Sequence, residues 1–199
     1  MYRGHVSEWD EQATGWDDNE AVRAYAEAAH ASLMAAVTDA GIELSAATVC
    51  DFGCGTGLMT ERLVAACGPI DAVDTSAAMR EVLAAKIGRH GWTDVRVLER
   101  LPADVPGYGL IVCSSVLSFV DDHPATVALL STHLAPGGLL VHWDWEAEPD
   151  DPEGGLTRDE MESALLDAGL ESVSVGPGFE IEFDGHVMRP LMGSGRRPA

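Results

Sequence analysis

Short apolar runs alternate with stretches of helical periodicity along most of the chain. Runs such as TVCDF (48–52) and IDAVD (70–74) are short and almost continuously apolar, which is typical of buried parallel strands. The same pattern predicts further strands at 95–99, 108–115, 137–145, about 171–175 and 179–191. Apolar spacing and capping residues predict the intervening helices at 19–40, 57–67, 76–87, 122–134 and 157–169.

This alternation predicts the α/β class, with a doubly wound, mostly parallel seven-stranded sheet and helices on both faces. No helix separates the last two predicted strands, so we expect them to be antiparallel neighbours, with the last strand antiparallel. The chain has 199 residues, which is the length of one domain. We therefore expect a single domain over 1–199.

Charge and composition narrow the function classes. The chain carries 33 Asp and Glu against 12 Lys and Arg, a formal net charge of −21. Such a surface repels phosphates, which argues against nucleic-acid partners and against an anionic membrane face. No apolar run approaches the roughly 20 residues that span a bilayer, and the N-terminus lacks the apolar core of a signal peptide. The four cysteines have no paired C-x-x-C spacing. We expect a cytoplasmic protein with reduced thiols and without structural zinc.

A glycine-rich turn follows the first predicted strand, where a doubly wound sheet binds its ligands. Here Asp51 precedes Gly53, Gly55 and Gly57, directly before a helix. Glycines at alternate positions permit a tight turn and bring a ligand close to the main chain. Asp74 ends the second strand, where its carboxylate can accept hydrogen bonds from a ribose diol. Together these residues predict a site for an adenosine-containing cofactor.

The spacing of the glycines distinguishes between such cofactors. The dinucleotide fingerprint is G-x-G-x-x-G, whereas here the glycines run G-x-G-x-G and Leu58 occupies the sixth position. The Asp51 carboxylate would face a pyrophosphate badly but suits a ligand with an ammonium group. An NAD(P)-dependent oxidoreductase is the alternative, which the absence of a Tyr-x-x-x-Lys pair also disfavours, since Lys86 is the only lysine. A non-catalytic cofactor-binding domain stays open.

Several segments resemble the class I S-adenosylmethionine-dependent methyltransferases, in particular the small-molecule group. VCDFGCGTG resembles the first motif of that family and IDAVDTSAAM its second. YGLIVCSSVLSFVDD followed by LAPGGLLV resembles the fourth strand, helix and fifth strand. The opening WDEQATGWDDNEAVRAY is similar to the N-terminal cap of the group, so we expect residues 1–45 to form a helical cap. The resemblance implies S-adenosylmethionine as cofactor and S-adenosylhomocysteine as product.

The resemblance also implies roles for individual residues. Asp51 would hold the cofactor's amino group and Asp74 the ribose hydroxyls, while Ser114 and Ser115 would face the methyl group. Glu99 and Arg100 would lie near the adenine amine. The residues expected to contact the cofactor are Trp16, Asp51, Gly53, Cys54, Gly55, Asp74, Thr75, Met79, Glu99, Arg100, Ser114 and Ser115.

The methyl acceptor is less well marked in the sequence. Methyl transfer from a sulfonium depends mainly on geometry and requires no metal. If a general base assists, His5 and His123 are the candidates. Trp143 and Trp145 flank Asp144 at the end of the fifth strand, which suggests a wall of an acceptor pocket, with packing under a helix as the alternative. The sequence lacks the Pro-Pro-aromatic and Pro-Cys motifs of nucleic-acid methylases. We predict a small-molecule acceptor and a monomer or homodimer.

Overall fold

A computed structural model describes residues 6–103, 107–147 and 154–199. Its strands are Val49–Phe52 (β1), Ile70–Val73 (β2), Val95–Leu98 (β3), Tyr108–Ser114 (β4), Leu134–Asp144 (β5), Glu171–Pro177 (β6), Ile181–Phe183 (β7), His186–Met188 (β8) and Leu191–Arg196 (β9). Its α-helices are Val6–Gln12 (α1), Glu20–Asp39 (α2), Leu58–Leu63 (α3), Ala77–His90 (α4), His123–His133 (α5) and Arg158–Asp167 (α6). Short 3-10 segments cover Trp16–Asp18, Leu44–Ala46 and Leu117–Phe119.

Seven strands form the main sheet in the order β3-β2-β1-β4-β5-β9-β6. Strand β1 pairs in parallel with both β2 and β4, so the winding direction reverses between β1 and β4. Strand β9 is antiparallel to its neighbours β5 and β6. The predicted α/β class, the mostly parallel seven-stranded sheet and the antiparallel last strand are all confirmed.

Helices cover both faces of this sheet, as the alternation predicted. Along β5, Val141 and Trp143 pack into the apolar cluster that also contains residues of α2, α3 and α4. Leu140 points to the opposite face and packs with residues of α5 and α6. Because successive strand side chains point to opposite faces, one apolar strand supplies both cores. Among the described residues, no helix combines the length and the apolarity needed to cross a membrane.

The predicted strand at 179–191 is wrong. Strands β7 and β8 form a separate two-stranded hairpin within this stretch, and the strand that joins the main sheet begins at Leu191. The two residues between them are Asp184 and Gly185, with φ values of 49° and 76°. An Asp-Gly pair with both φ angles positive is a strong hairpin signal. The turn therefore breaks the apolar run into two strands before the chain re-enters the sheet.

Candidate functional site

A cavity of about 300 Å³ lies beyond the carboxyl ends of β1, β2, β4 and β5. This is the edge at which a doubly wound sheet is expected to bind ligands, next to the reversal of strand order. The N-terminal segments cover it from the other side. The lining comprises Trp9, Trp16, Ala21, Val22, Tyr25, Ala26, Asp51, Gly53, Cys54, Gly55, Thr56, Leu58, Met59, Asp74, Thr75, Met79, Ser114, Ser115, Val116, Phe119, Trp145 and Met188.

The glycine turn forms the floor of the cavity. Gly53, Gly55 and Gly57 all have positive φ, at 73°, 52° and 86°. The amides of Gly53 and Cys54 both donate to the Val73 carbonyl, at 2.8 and 3.0 Å, so the turn rests against the end of β2. A Cβ atom on Gly53 would lie 2.4–2.9 Å from three carbon atoms of Val116. Glycine is therefore needed here both for the backbone conformation and for the close approach of the loop after β4.

Asp74 sits at the end of β2, facing the glycine turn. One carboxylate oxygen accepts from the Gly55 amide and the other from the Ser76 amide, each at 2.8 Å. A carboxylate has about four lone-pair positions, so two stay available for hydroxyl donors from the cavity. Burial raises the pKa of Asp74, an effect that these two amide hydrogen bonds oppose. Asp74 can therefore accept hydrogen bonds from the turn and from a ribose diol at the same time.

Asp51 is a buried carboxylate that faces the cavity with 1% of its surface exposed. The Thr60 hydroxyl donates to Oδ2 at 2.6 Å. Within the described ranges no cationic side chain pairs with Asp51. Burial raises its pKa to about 6, because an ionised carboxylate is poorly solvated there. A ligand ammonium group would supply the missing counter-charge, so Asp51 fits the amino acid end of S-adenosylmethionine.

Binding of S-adenosylhomocysteine should tighten as the pH rises from about 5 to about 7, because only ionised Asp51 pairs with an ammonium group. Since the folded-state pKa lies above the ordinary value of 3.8, the unliganded protein loses stability as the pH rises from about 4 to about 6. Calorimetric titration of the ligand across this pH range measures the first effect. The Asp51→Asn variant should bind about 10-fold more weakly and show a flatter pH profile, with the remaining slope due to Asp74. An unchanged profile in that variant would contradict this role for Asp51.

Aromatic side chains line the opposite wall. Trp9 makes edge contacts with Trp16 and Phe119, with ring centroids 6.0 and 5.3 Å apart. Tyr25 lies 5.5 Å from Trp145 and 4.9 Å from Phe179 by the same measure. All of these rings except Phe179 line the cavity and make this wall largely apolar, as is usual for small-molecule sites.

The Tyr25 hydroxyl is held at the cavity wall by Ser115. The Ser115 hydroxyl donates to it at 2.7 Å, and the Ser115 amide donates to the Trp143 carbonyl at 2.8 Å. Ser115 has φ of 52°, a left-handed conformation that is strained for a residue other than glycine. Burial raises the pKa of Tyr25, so the phenol stays protonated at neutral pH. Within the described part of the chain, Ser115 is the only hydrogen-bond partner of this phenol, which leaves the phenolic proton available to a ligand.

The structure brings most of the predicted cofactor residues together. Trp16, Asp51, Gly53, Cys54, Gly55, Asp74, Thr75, Met79, Ser114 and Ser115 all line the cavity. Glu99 and Arg100 do not; they lie exposed after β3 and pair with each other at 2.7 Å. Their side chains are solvated because the chain leaves the sheet edge here, so these two residues lie outside the cavity that the other predicted cofactor residues line.

The structure places the residues predicted for the acceptor wall in different environments. Trp145 lines the cavity, but Trp143 is fully buried and packs in the core on the α2 side of the sheet. Asp144 is also fully buried, and Oδ1 accepts from the amide and hydroxyl of Ser118 at 3.1 and 2.8 Å. Trp143 and Asp144 are therefore corrected to packing and loop-anchoring residues, because β5 extends through residue 144 before the chain reaches the cavity.

His123, predicted as a candidate base, is also placed elsewhere. It begins α5, lies 5.9 Å from His142 between ring centroids, and does not line the cavity. Burial lowers its pKa to about 4, which makes it a weak base as well as a distant one. The reason is topological, since His142 and α5 belong to the sheet face opposite α2. His5 lies outside the described residues.

Several lining residues escaped the sequence analysis, notably Tyr25, Val116, Phe119 and Met188. Four lining residues belong to α2, and their spacing in the sequence places them on one helix face: Ala21, Val22, Tyr25 and Ala26. The others come from the loop after β4 and from the β7–β8 hairpin. No local pattern shows that these segments reach the cavity.

The fold, the glycine turn and the carboxylates of Asp51 and Asp74 together are typical of the class of S-adenosylmethionine-dependent methyltransferases. A family model described as a methyltransferase domain matches residues 25–175, so the chain belongs to that family. The predicted class and its cofactor, S-adenosylmethionine, are thereby confirmed.

Named relatives share part of the chain. A malonyl-(acyl-carrier protein) O-methyltransferase from Halalkalibacterium halodurans is 33% identical over 100 residues, which cover 47% of this chain and 37% of that protein. A trans-aconitate 2-methyltransferase from Deinococcus radiodurans is 34% identical over 98 residues, covering 48% of this chain and 36% of that protein. The matches thus span less than half the length of these relatives.

The fold also matches solved structures. The magnesium protoporphyrin IX methyltransferase from Synechocystis PCC 6803, crystallised with bound S-adenosylmethionine, superposes with a TM-score of 0.64 at 18% identity. The match covers 84% of this chain and 77% of that one. At this identity the similarity concerns the fold alone.

Proposed function

We propose that this protein transfers the methyl group of S-adenosylmethionine to a small-molecule acceptor, as a single domain whose residues 1–45 cap the site. One observation carries the proposal. The glycine turn, the buried carboxylate of Asp51, the half-buried carboxylate of Asp74 and an aromatic wall all line the same cavity of about 300 Å³. This size lies at the lower end of the range for small-molecule sites.

The cofactor would be held from both ends. Asp51 would pair with the ammonium group, and Asp74 would accept the ribose hydroxyls with its remaining lone pairs. Thr75 and Met79 lie in the same cavity, beside Asp74, and would contact the adenine. The glycine turn would lie against the amino acid portion. When bound, the cofactor supplies an electrophilic methyl group on a positively charged sulfur.

The protein's part in the reaction is mainly to orient the acceptor. The transfer would be a displacement in which an acceptor lone pair takes the methyl group and the electron pair of the carbon–sulfur bond stays on sulfur. This displacement needs its two reactants in line, so restricting the acceptor's motion contributes most of the acceleration. The Tyr25 phenol, fixed by Ser115, would donate a hydrogen bond to an acceptor oxygen or nitrogen. With its raised pKa it would act as a donor and not as a base.

The named relatives and the walls of the cavity support the acceptor class. Two relatives are named for transfer to a malonyl acyl-carrier protein and to trans-aconitate, both of which carry small acyl or acid groups. In this chain the walls formed by Phe119, Trp145 and Met188 favour an acceptor with an apolar portion. No group of three or more potential metal ligands lies together in the described ranges, and the proposed chemistry uses none.

Calorimetric titration with S-adenosylmethionine, S-adenosylhomocysteine and NADH tests the cofactor assignment first. We expect micromolar binding of the two sulfur nucleosides and no binding of NADH. Formation of S-adenosylhomocysteine would then be measured with trans-aconitate, malonate monomethyl ester, benzoate and catechol as acceptors. Binding of NADH alone would favour an oxidoreductase instead. Nucleoside binding without turnover on any acceptor would favour a cofactor-binding domain without catalysis.

A further inference from the structure

Lys86, the only lysine in the chain, is buried beside the cofactor cavity. It lies on α4 with 8% of its surface exposed. Its Nζ atom is 2.6 Å from Oδ2 of Asp17 and 3.6 Å from Oε2 of Glu61. A lysine is seldom buried to this extent without paired charge, so these two carboxylates account for its position.

Asp17 connects this lysine to the glycine turn. Its other carboxylate oxygen accepts from the Thr56 hydroxyl at 2.6 Å, and Thr56 is 1% exposed within the turn. One carboxylate therefore joins three parts of the molecule: the Trp16–Asp18 segment, α4 and the turn. We call Lys86, Asp17 and Thr56 the cap clasp.

The cap clasp determines where Trp16 lies. Trp16 directly precedes Asp17 and lines the cavity, with its ring against that of Trp9. The preceding helix α1 is anchored separately, because Asp10 accepts from the Ser76 hydroxyl at 2.5 Å and from the Ala78 amide at 3.2 Å. Asp17 itself is held by the Lys86 ion pair, by the Thr56 hydroxyl and by Arg23, whose Nη1 donates to the Asp17 carbonyl at 2.6 Å. The ion pair is one of the contacts that must open before the segment around Trp16 can leave the cavity.

We propose that Lys86 is a positioning residue for the cofactor: through Asp17 it holds Trp16 over the cavity and sets the rate at which the cofactor leaves. This inference rests on the proposed function, since it takes the cavity to hold S-adenosylmethionine. An ion pair in a partly buried place is screened less than one in water. Opening it also leaves the ammonium of Lys86 with Glu61 alone, at a longer distance.

Stopped-flow tryptophan fluorescence measures the proposed effect, because Trp9 and Trp16 lie in the cavity and should report its occupation. Bound S-adenosylhomocysteine is displaced, and its dissociation rate is recorded for the parent and for Lys86→Met, which keeps the apolar stem. We expect the variant to release the ligand about 10-fold faster, with a smaller change in the association rate. Lys86→Arg should restore most of the slow release.

The charge of Asp17 provides an independent test. Asp17→Asn keeps an oxygen for the Thr56 hydroxyl but removes the ion pair, so it should also release the ligand about 10-fold faster. The double variant Lys86→Met/Asp17→Asn should release it no faster than either single variant, because both remove the same interaction. Additive effects would contradict the clasp.

Arg96→Met is the matched control for stability. Arg96 forms an ion pair with the buried Asp71 at 2.6 Å, away from the cavity. This variant should lower the melting temperature while leaving ligand release unchanged. The inference would be overturned if folded Lys86→Met released the ligand at the rate of the parent protein, or if Arg96→Met released it as fast as Lys86→Met does. Either result would leave the proposed function intact. A parent protein that binds no S-adenosylhomocysteine would overturn both.

Discussion

Replacing Gly53 by alanine is expected to weaken the binding of S-adenosylhomocysteine by about 100-fold or more. The added Cβ would lie 2.4–2.9 Å from Cβ and both Cγ atoms of Val116. Val116 is branched at that point and 8% exposed, so it cannot rotate away from the new atom. Either the glycine turn or the loop after β4 must move, and both line the cavity. Calorimetry measures the loss of binding.

Gly91→Ala separates this clash from backbone strain. Gly91 ends α4 with φ of 68°, close to the 73° of Gly53, and nothing lies within 4 Å of an added Cβ. Its alanine variant should lose about 1 kcal/mol of stability and bind the ligand normally. Circular dichroism and thermal melting would establish that both variants fold. If folded Gly53→Ala bound S-adenosylhomocysteine as tightly as the parent protein does, the cofactor site would lie elsewhere.

Tyr25→Phe is expected to lower kcat/KM for the acceptor by about 10- to 100-fold, the range for losing one hydrogen bond to a polar or charged group. The ring contacts with Trp145 and Phe179 are kept, and only the phenol held by Ser115 is lost. Affinity for S-adenosylhomocysteine should change by less than about 2-fold, because this hydroxyl is assigned to the acceptor. Steady-state kinetics with the best acceptor of the panel, together with calorimetry, measures both quantities.

Tyr108→Phe makes the same chemical change at a site without a ligand. Tyr108 is fully buried at the opposite end of β4, and its hydroxyl donates to Asp71 at 2.7 Å. Its removal should lower stability by about 1–3 kcal/mol without affecting the acceptor kinetics. If Tyr25→Phe lost affinity for S-adenosylhomocysteine as strongly as it lost turnover, Tyr25 would belong to the cofactor side instead.

Local sequence predicted that the ends of β1 and β2 meet at the cavity. A strand of four residues, a turn with glycines at alternate positions and an acid at the end of the next strand depend on neighbours close in the chain. Parallel strands β1 and β2 bring Asp51 and Asp74 to the same edge whatever surrounds them. The Asp-Gly pair at 184–185 also carried a local signal, and the prediction of one long strand at 179–191 overlooked it.

The order of elements, the apolar spacing and the glycine turn, all present in the sequence itself, determined the fold class and the cofactor edge, because their physical causes are local. Tertiary packing alone decided which side chains face the cavity from other directions. It buried Trp143 under α2, turned Asp144 toward Ser118 and carried His123 to the opposite face. It also brought Tyr25 to Ser115, 90 residues apart, and Lys86 to Asp17. Such contacts depend on how distant segments fill shared space, and neither periodicity nor motif spacing encodes that.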